Sequence, residues 1–91
     1  MNVTVRLPSQ LRSLVGGVGE VPVEATTVRE AIVAVDAAFP GIVFRVLDDR
    51  GALRRFVNVF VADEDIRFLE GLDTELQSGQ TVSLVPAVAG G

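Results

Sequence analysis

The residues with the most distinctive chemistry close the sequence: Val85-Pro86-Ala87-Val88-Ala89-Gly90-Gly91. Glycine has no side chain, so a segment ending Gly90-Gly91 can be threaded into a channel too narrow for other residues, with freedom in φ and ψ. The Gly91 carboxylate is sterically open to activation and, once activated, to attack. At an average glycine usage of about 7%, a chain ends Gly-Gly about once in 200, so the pair takes its meaning from what precedes it. The chain has no means of activating a carboxylate by itself. It contains no cysteine and no histidine to act as thiol nucleophile or imidazole base, and no glycine-rich phosphate loop of the Gly-Lys-Ser/Thr type. Asp63-Glu64-Asp65 could attract a cation, but adjacent strand residues point to opposite faces and no further oxygen-ligand pattern follows. A solvated turn is expected there, and no metal site. Arg54-Arg55 could meet a phosphate or an acidic partner surface, although exposed arginines opening a strand also serve solubility.

All eight cationic residues are arginine. Compositional bias of the source genome accounts for this. A functional reading stands beside it: a chain whose terminus is activated as an acyl electrophile gains from carrying no lysine amine that could capture it.

The elements that must position the tail follow from periodicity. Asn2 to Leu7 alternates polar and apolar, with Val3, Val5 and Leu7 on one face, and Pro8 closes this first strand. Ser9 to Leu14 suits a short helical turn, and the glycines of Gly16-Gly17-Val18-Gly19 imply a reversal. Val21, Val23 and Ala25 mark a second strand, placed at an edge by Pro22. Thr27-Val28-Arg29-Glu30 fits a capping box. Behind it Val28, Ala31, Ile32, Val35 and Phe39 form one apolar helical stripe, ended by Pro40-Gly41. Ile42 to Leu47 reads as a second helical turn and Asp48-Asp49-Arg50-Gly51 as a surface loop. From Arg55 to Ala62 strand alternation returns, with Val57, Val59 and Val61 on one face and Phe56, Asn58, Phe60 and Ala62 on the other. Asp63-Glu64 is read as the turn and Asp65 to Phe68 as a short return strand. Leu72 to Leu76 suits a single helical turn, and Thr81 to Val85 forms the last strand. The order is β-β-α-β-β-β, without a repeat or linker.

Two hairpins flanking one helix, packed on one face of a mixed sheet, make an α+β β-grasp domain. If the valines of Val57 to Val61 face the helix, Phe60 points to the uncovered face, and Val85 does the same when Val82 and Leu84 point inward. Phe60, Val85 and Pro86 are then candidates for a partner-docking patch beside the tail, with a Phe shielded by a loop as the alternative.

At 91 residues with 48% hydrophobic composition, the chain is one domain of a size that folds without a disulfide or metal staple. No run approaches 18 apolar residues, which disfavours a membrane span. A net charge of −4 without a basic run argues against nucleic acid and anionic membrane as partners. The start Met1-Asn2-Val3-Thr4-Val5 lacks a basic segment followed by an apolar one, so a cytoplasmic location is expected.

The stretch from Asp73 to Gly91 resembles the end of ubiquitin-like sulfur carriers of the ThiS/MoaD family, in which a Leu, a Gly-Asp-x-Val strand entry, a Pro and a terminal Gly-Gly recur at this spacing. Asn2-Val3-Thr4-Val5, Arg55-Phe56-Val57-Asn58-Val59 and Asp63-Glu64-Asp65 extend the resemblance over nearly the whole chain. Gln80 stands where the family usually has Asp, and Ala62 where it usually has Asn. The resemblance implies a single ubiquitin-like domain, monomeric on its own, with residues 86–91 as a flexible functional tail and Val88, Ala89 and Gly90 entering a partner's channel. A ubiquitin-activating-like enzyme would adenylate Gly91 with ATP and a sulfur source would convert it to a thiocarboxylate. The implied partners for cysteine synthesis are a pyridoxal-phosphate synthase and a zinc-dependent peptidase. ATP and pyridoxal phosphate would belong to these partners, with no cofactor bound by this chain. Molybdopterin and thiamin synthesis are the other routes such carriers serve. A ubiquitin-like modifier conjugated to lysines, and a non-covalent β-grasp module with an incidental Gly-Gly, are the readings from other classes.

Overall fold

The computed structural model describes residues 1–86. Strand β1 (Asn2–Arg6) is followed by the short helix α1 (Ser9–Arg12), a 3-10 turn (Ser13–Val15) and strand β2 (Glu20–Glu24). Helices α2 (Val28–Ala38) and α3 (Ile42–Val46) come next. Strands β3 (Val57–Val61) and β4 (Glu64–Asp65), two 3-10 turns (Ile66–Phe68 and Gly71–Asp73) and strand β5 (Thr81–Pro86) complete the described chain. The sheet order is β2-β1-β5-β3-β4. The β1–β5 pair is parallel and the other three are antiparallel. This is the ubiquitin-like β-grasp expected, with Pro22 on an edge strand as its missing donor requires.

Register explains why one face is core. Val5 stands opposite Val21 on β2 and Val82 on β5, and Val82 stands opposite Val61 on β3, so one row of valines crosses four strands. Because side chains alternate, the adjacent row Glu20, Arg6, Ser83, Phe60 and Asp65 falls on the opposite face. The valine row packs in one cluster with Val28, Ile32 and Val35 of α2. Ile32 and Val35 are fully buried, and burying such a side chain stabilises the fold by about 1.5–3 kcal/mol. Phe39, at the end of the stripe, is only partly buried against the cluster.

Helix α2 begins where the sequence places it, with one change of partner. The Thr27 hydroxyl accepts from the Glu30 amide at 3.2 Å. The Glu30 carboxylate reaches one residue further back than a standard box, to the Thr26 hydroxyl at 2.6 Å and the Thr26 amide at 2.9 Å. At the far end Gly41 adopts φ 115, which a side chain would strain. There Asp36 Oδ1 accepts from the amides of Gly41 and Val43, each at 3.0 Å, tying the start of α3 to the end of α2.

The β3–β4 hairpin differs from expectation in two ways. Val61 pairs with Glu64, so Ala62 and Asp63 are the two turn residues, with φ 52 and 67. Positive φ at both positions is the type I′ turn that suits strand twist. The return strand then stops at Asp65, because the Asp65 carboxylate accepts from the Arg67 amide at 2.9 Å and caps a 3-10 turn instead of letting the ladder continue. Similarly, the helical turn expected over Leu72 to Leu76 is a 3-10 turn at Gly71–Asp73.

Candidate functional site

β5 is a central strand, with β1 on one side and β3 on the other. Pro86, which the sequence reading assigns to the tail, closes β5 opposite Val57. A proline supplies no donor but still offers a carbonyl, so the last ladder position suits it. The tail residues Val88, Ala89, Gly90 and Gly91 lie outside the described residues.

The three residues expected to form a docking patch converge. Phe60, Val85 and Pro86 line one groove of about 490 Å³ together with Arg6, Ser83 and Asp63. Val85 is 40% exposed and Phe60 and Pro86 are half-buried, so the face away from α2 presents an apolar strip beside the end of β5. Asn58 stands opposite Val85. Its side-chain oxygen accepts from Arg67 Nη2, and Arg67 also donates to both oxygens of Asp65. The Arg67 bonds hold the Asp65 carboxyl below its ordinary range, and Asp65 raises Arg67 in return, so both stay ionised and frame the strip on one side. Arg6 and Glu20 pair at 3.1 Å and frame it on the other.

Sequence reasoning missed Arg6 and Ser83 as members of this groove. The signal was present, since Arg6 alternates with Val3, Val5 and Leu7, but it indicates only an outward direction and not which strand lies beside it. A smaller apolar crevice of about 80 Å³ adjoins the same strand end, lined by Leu11, Arg45, Val57, Leu84, Val85 and Pro86. Among the described residues no group of three or more His, Cys, Asp or Glu is brought together to hold a metal. Asp63 occupies the hairpin turn and Asp65 is paired with Arg67. Among the described residues no helix is long and apolar enough to cross a membrane.

A small β-grasp domain with a central last strand and an apolar strip at the end of that strand thus precedes the Gly90-Gly91 end of the sequence. The ThiS family is matched over residues 5–91, and the chain belongs to that family. It is 44% identical over 93 residues, covering 100% of both chains, to the sulfur carrier protein CysO of Mycobacterium tuberculosis. Among solved structures it superposes with TM-score 0.91 and 44% identity, over 98% of this chain and 99% of the other, on a chain of the Amycolatopsis orientalis BexX/CysO complex. It also resembles small archaeal modifier protein 1 of Haloferax volcanii, with TM-score 0.81, 27% identity, and 96% and 98% coverage.

Proposed function

We propose that this protein is a sulfur carrier, consumed and regenerated by partner enzymes, whose Gly91 carboxylate is the working group. The observation that carries the reading is full-length 44% identity to a named sulfur carrier protein, in a chain that retains the terminal Gly90-Gly91. The Gly91 carboxylate attacks the α-phosphorus of ATP on an activating enzyme, releasing pyrophosphate and leaving an acyl adenylate. A sulfur donor then displaces AMP, and Gly91 becomes a thiocarboxylate. That group is anionic and nucleophilic at neutral pH, and its protein handle keeps the sulfur from diffusing away as sulfide.

For the acceptor we infer cysteine synthesis. The thiocarboxylate sulfur adds to an aminoacrylate held on pyridoxal phosphate by a partner synthase, and the resulting thioester rearranges to an amide through the amino group. Gly91 then carries a cysteine, which a zinc-dependent peptidase hydrolyses off to restore the carboxylate. The support is the CysO relationship together with the Arg55-Phe56-Val57-Asn58-Val59 strand and the Pro86 to Gly91 tail. The groove at Phe60, Val85 and Pro86 is the surface we assign to docking of the partner, since an apolar strip beside the strand end orients the tail into an active site.

Intact-mass analysis of the protein purified from its own cells tests the carrier reading. A species with one oxygen exchanged for sulfur, and alkylated at that sulfur by iodoacetamide, is the expected result. Adducts on the lysines of other proteins, with no thiocarboxylate, would instead indicate a modifier like the archaeal relative. Mixing the thiocarboxylated protein with a synthase and an activated serine tests the acceptor. Addition of one cysteine residue is expected, whereas conversion of a molybdopterin precursor alone would move the carrier to that route.

A further inference from the structure

Half of the arginines lie within one short stretch. Arg45, Arg50, Arg54 and Arg55 fall between Phe44 and Phe56, against only Asp48 and Asp49, in a chain of net charge −4. The fold gathers this stretch on one side. Leu47 bridges to Leu53, the Arg54 amide donates to the Val46 carbonyl at 2.9 Å, and Arg54 Nε donates to the Phe44 carbonyl at 2.8 Å. The segment leading into β3 therefore lies against the end of α3. Phe44 is 72% exposed and Phe56 68%, and neither belongs to the core cluster or its partly buried surroundings.

Among the described residues, Arg6, Arg29 and Arg67 pair with carboxylates, but none of the four arginines between Phe44 and Phe56 does. Asp48 gives its carboxylate to the Ala52 and Arg50 amides, and these bonds hold its pKa down. Its charge is directed chiefly to these loop amides, with smaller attractions to Arg50 and Arg54 and no ion pair to either. Two exposed aromatics with unpaired arginines between them form the composition that interfaces concentrate and hot spots favour. The surface also continues to the tail, because Arg45 and Val57 share a crevice with Val85 and Pro86.

From this juxtaposition we propose a second docking surface, built on Phe44, Phe56, Arg45, Arg54 and Arg55, that receives an acidic protein segment with an apolar centre on the enzyme that takes the tail. The occupant follows from charge complementarity: carboxylates supply the partners these arginines lack, and an apolar residue between them covers the phenylalanines. A polyphosphate strand fits less well, since its denser negative charge is repelled more strongly by a chain of net charge −4 than a few carboxylates are. The assignment of this partner rests on the carrier reading above, but the surface itself can be tested without it.

The experiment titrates the isotope-labelled full chain with a synthetic peptide, Glu-Asp-Leu-Trp-Asp-Glu, and with a control in which lysine replaces each acid. Amide shifts should be confined to residues 44–46 and 54–57, should diminish with added salt, and should be absent with the control. Phe44→Ser with Phe56→Ser, and separately Arg45→Glu with Arg55→Glu, should each weaken binding about tenfold or more while leaving the fold intact, since all four side chains are exposed. Arg54 is left unchanged because it supports the α3 carbonyl. Shifts centred on Phe60 and Val85, equal binding of the lysine control, or tighter binding of a deoxythymidine oligonucleotide or anionic vesicles would overturn the proposal. So would self-association of the chain in sedimentation that both double variants abolish. Protein lacking Gly90-Gly91 should bind the peptide as well as the full chain, so loss of activation with retained peptide binding separates the tail's role from this surface. With an activating enzyme in hand, the double variants should raise the KM for the carrier about tenfold with little change in kcat. Unchanged KM would also overturn the assignment.

Discussion

Val57 stands directly opposite Pro86 at the end of the β3–β5 ladder, so the last described residue is held by the strand that begins beside Phe56. One side of that strand end opens onto the Phe60 groove and the other onto the α3 crevice. The end of β5 therefore lies between two apolar surfaces, and substitutions on each can be compared with substitutions in the core.

Val85→Asp should reduce activation by the partner strongly while changing stability by less than about 1 kcal/mol, because its side chain already meets water. Ile32→Asp should cost several kcal/mol, enough to unfold the domain, since it buries a charge among α2 and the valine row. Thermal melts alongside ATP–pyrophosphate exchange decide the matter. Phe60→Asp belongs with Val85 if it melts near wild type, and an Ile32-like loss would make Phe60 a structural residue.

Deleting Gly90-Gly91 should leave the melting temperature nearly unchanged and abolish adenylation. Among the described residues the core cluster runs from Val3 to Leu84, and a terminal glycine pair has no side chain to add to it. Normal pyrophosphate exchange by the truncated protein would remove the tail from the mechanism.

Ala62 holds φ 52, a conformation that costs an L-residue roughly 1 kcal/mol and that Asn or Gly adopts more readily. Ala62→Asn should therefore stabilise the domain by about 0.5–1 kcal/mol, read as a higher urea midpoint at constant slope. An unchanged or lower midpoint would mean the turn is not the type I′ conformation described here.

Glu30 and Asp48 both have pKa values below their ordinary ones, Glu30 chiefly through the Thr26 hydroxyl and Asp48 chiefly through the Ala52 amide. A carboxyl whose pKa is depressed on folding contributes stability that is complete above its ordinary value and lost as pH falls through the folded one. Urea midpoints should thus be flat near neutrality and decline below about pH 4. In the Glu30→Gln, Asp48→Asn double variant the neutral midpoint should be lower and the acid decline shallower. Parallel curves for the two proteins would argue against these hydrogen bonds.

Much of this arrangement is legible in residue order. Val3, Val5 and Leu7 declare a strand face, and Thr27 with the stripe from Val28 to Val35 declares a capped amphipathic helix, because each signal is local and periodic. What is not legible is long-range or side-chain specific. Ala62 carries no mark of positive φ, so residue order puts the turn at Asp63-Glu64, one residue later than the Ala62-Asp63 pair that makes it. Asp65 ends a strand by bonding the Arg67 amide, which competes with a ladder that alternation alone would extend. Phe44 sits in an apolar run that gives no sign it faces solvent, and the pairing that brings Arg54 against its carbonyl depends on a hairpin between Leu47 and Leu53. The groove was half legible: Phe60 and Val85 follow from alternation, Ser83 joins Phe60 through the β3–β5 register, and Arg6 joins them only through the β1–β5 crossover.

That crossover also decides how the domain bears load. On the carrier reading proposed above, tension applied to the terminus would run along β5, which is flanked by β1 in parallel and β3 in antiparallel register. Pulled along its own axis, the strand strains the hydrogen bonds of both ladders together in shear, and cannot peel them open one at a time as an edge strand such as β4 would. Any load on the C-terminal end of β5 is thus shared by two ladders at once, which favours a domain that stays folded while its terminus is drawn on.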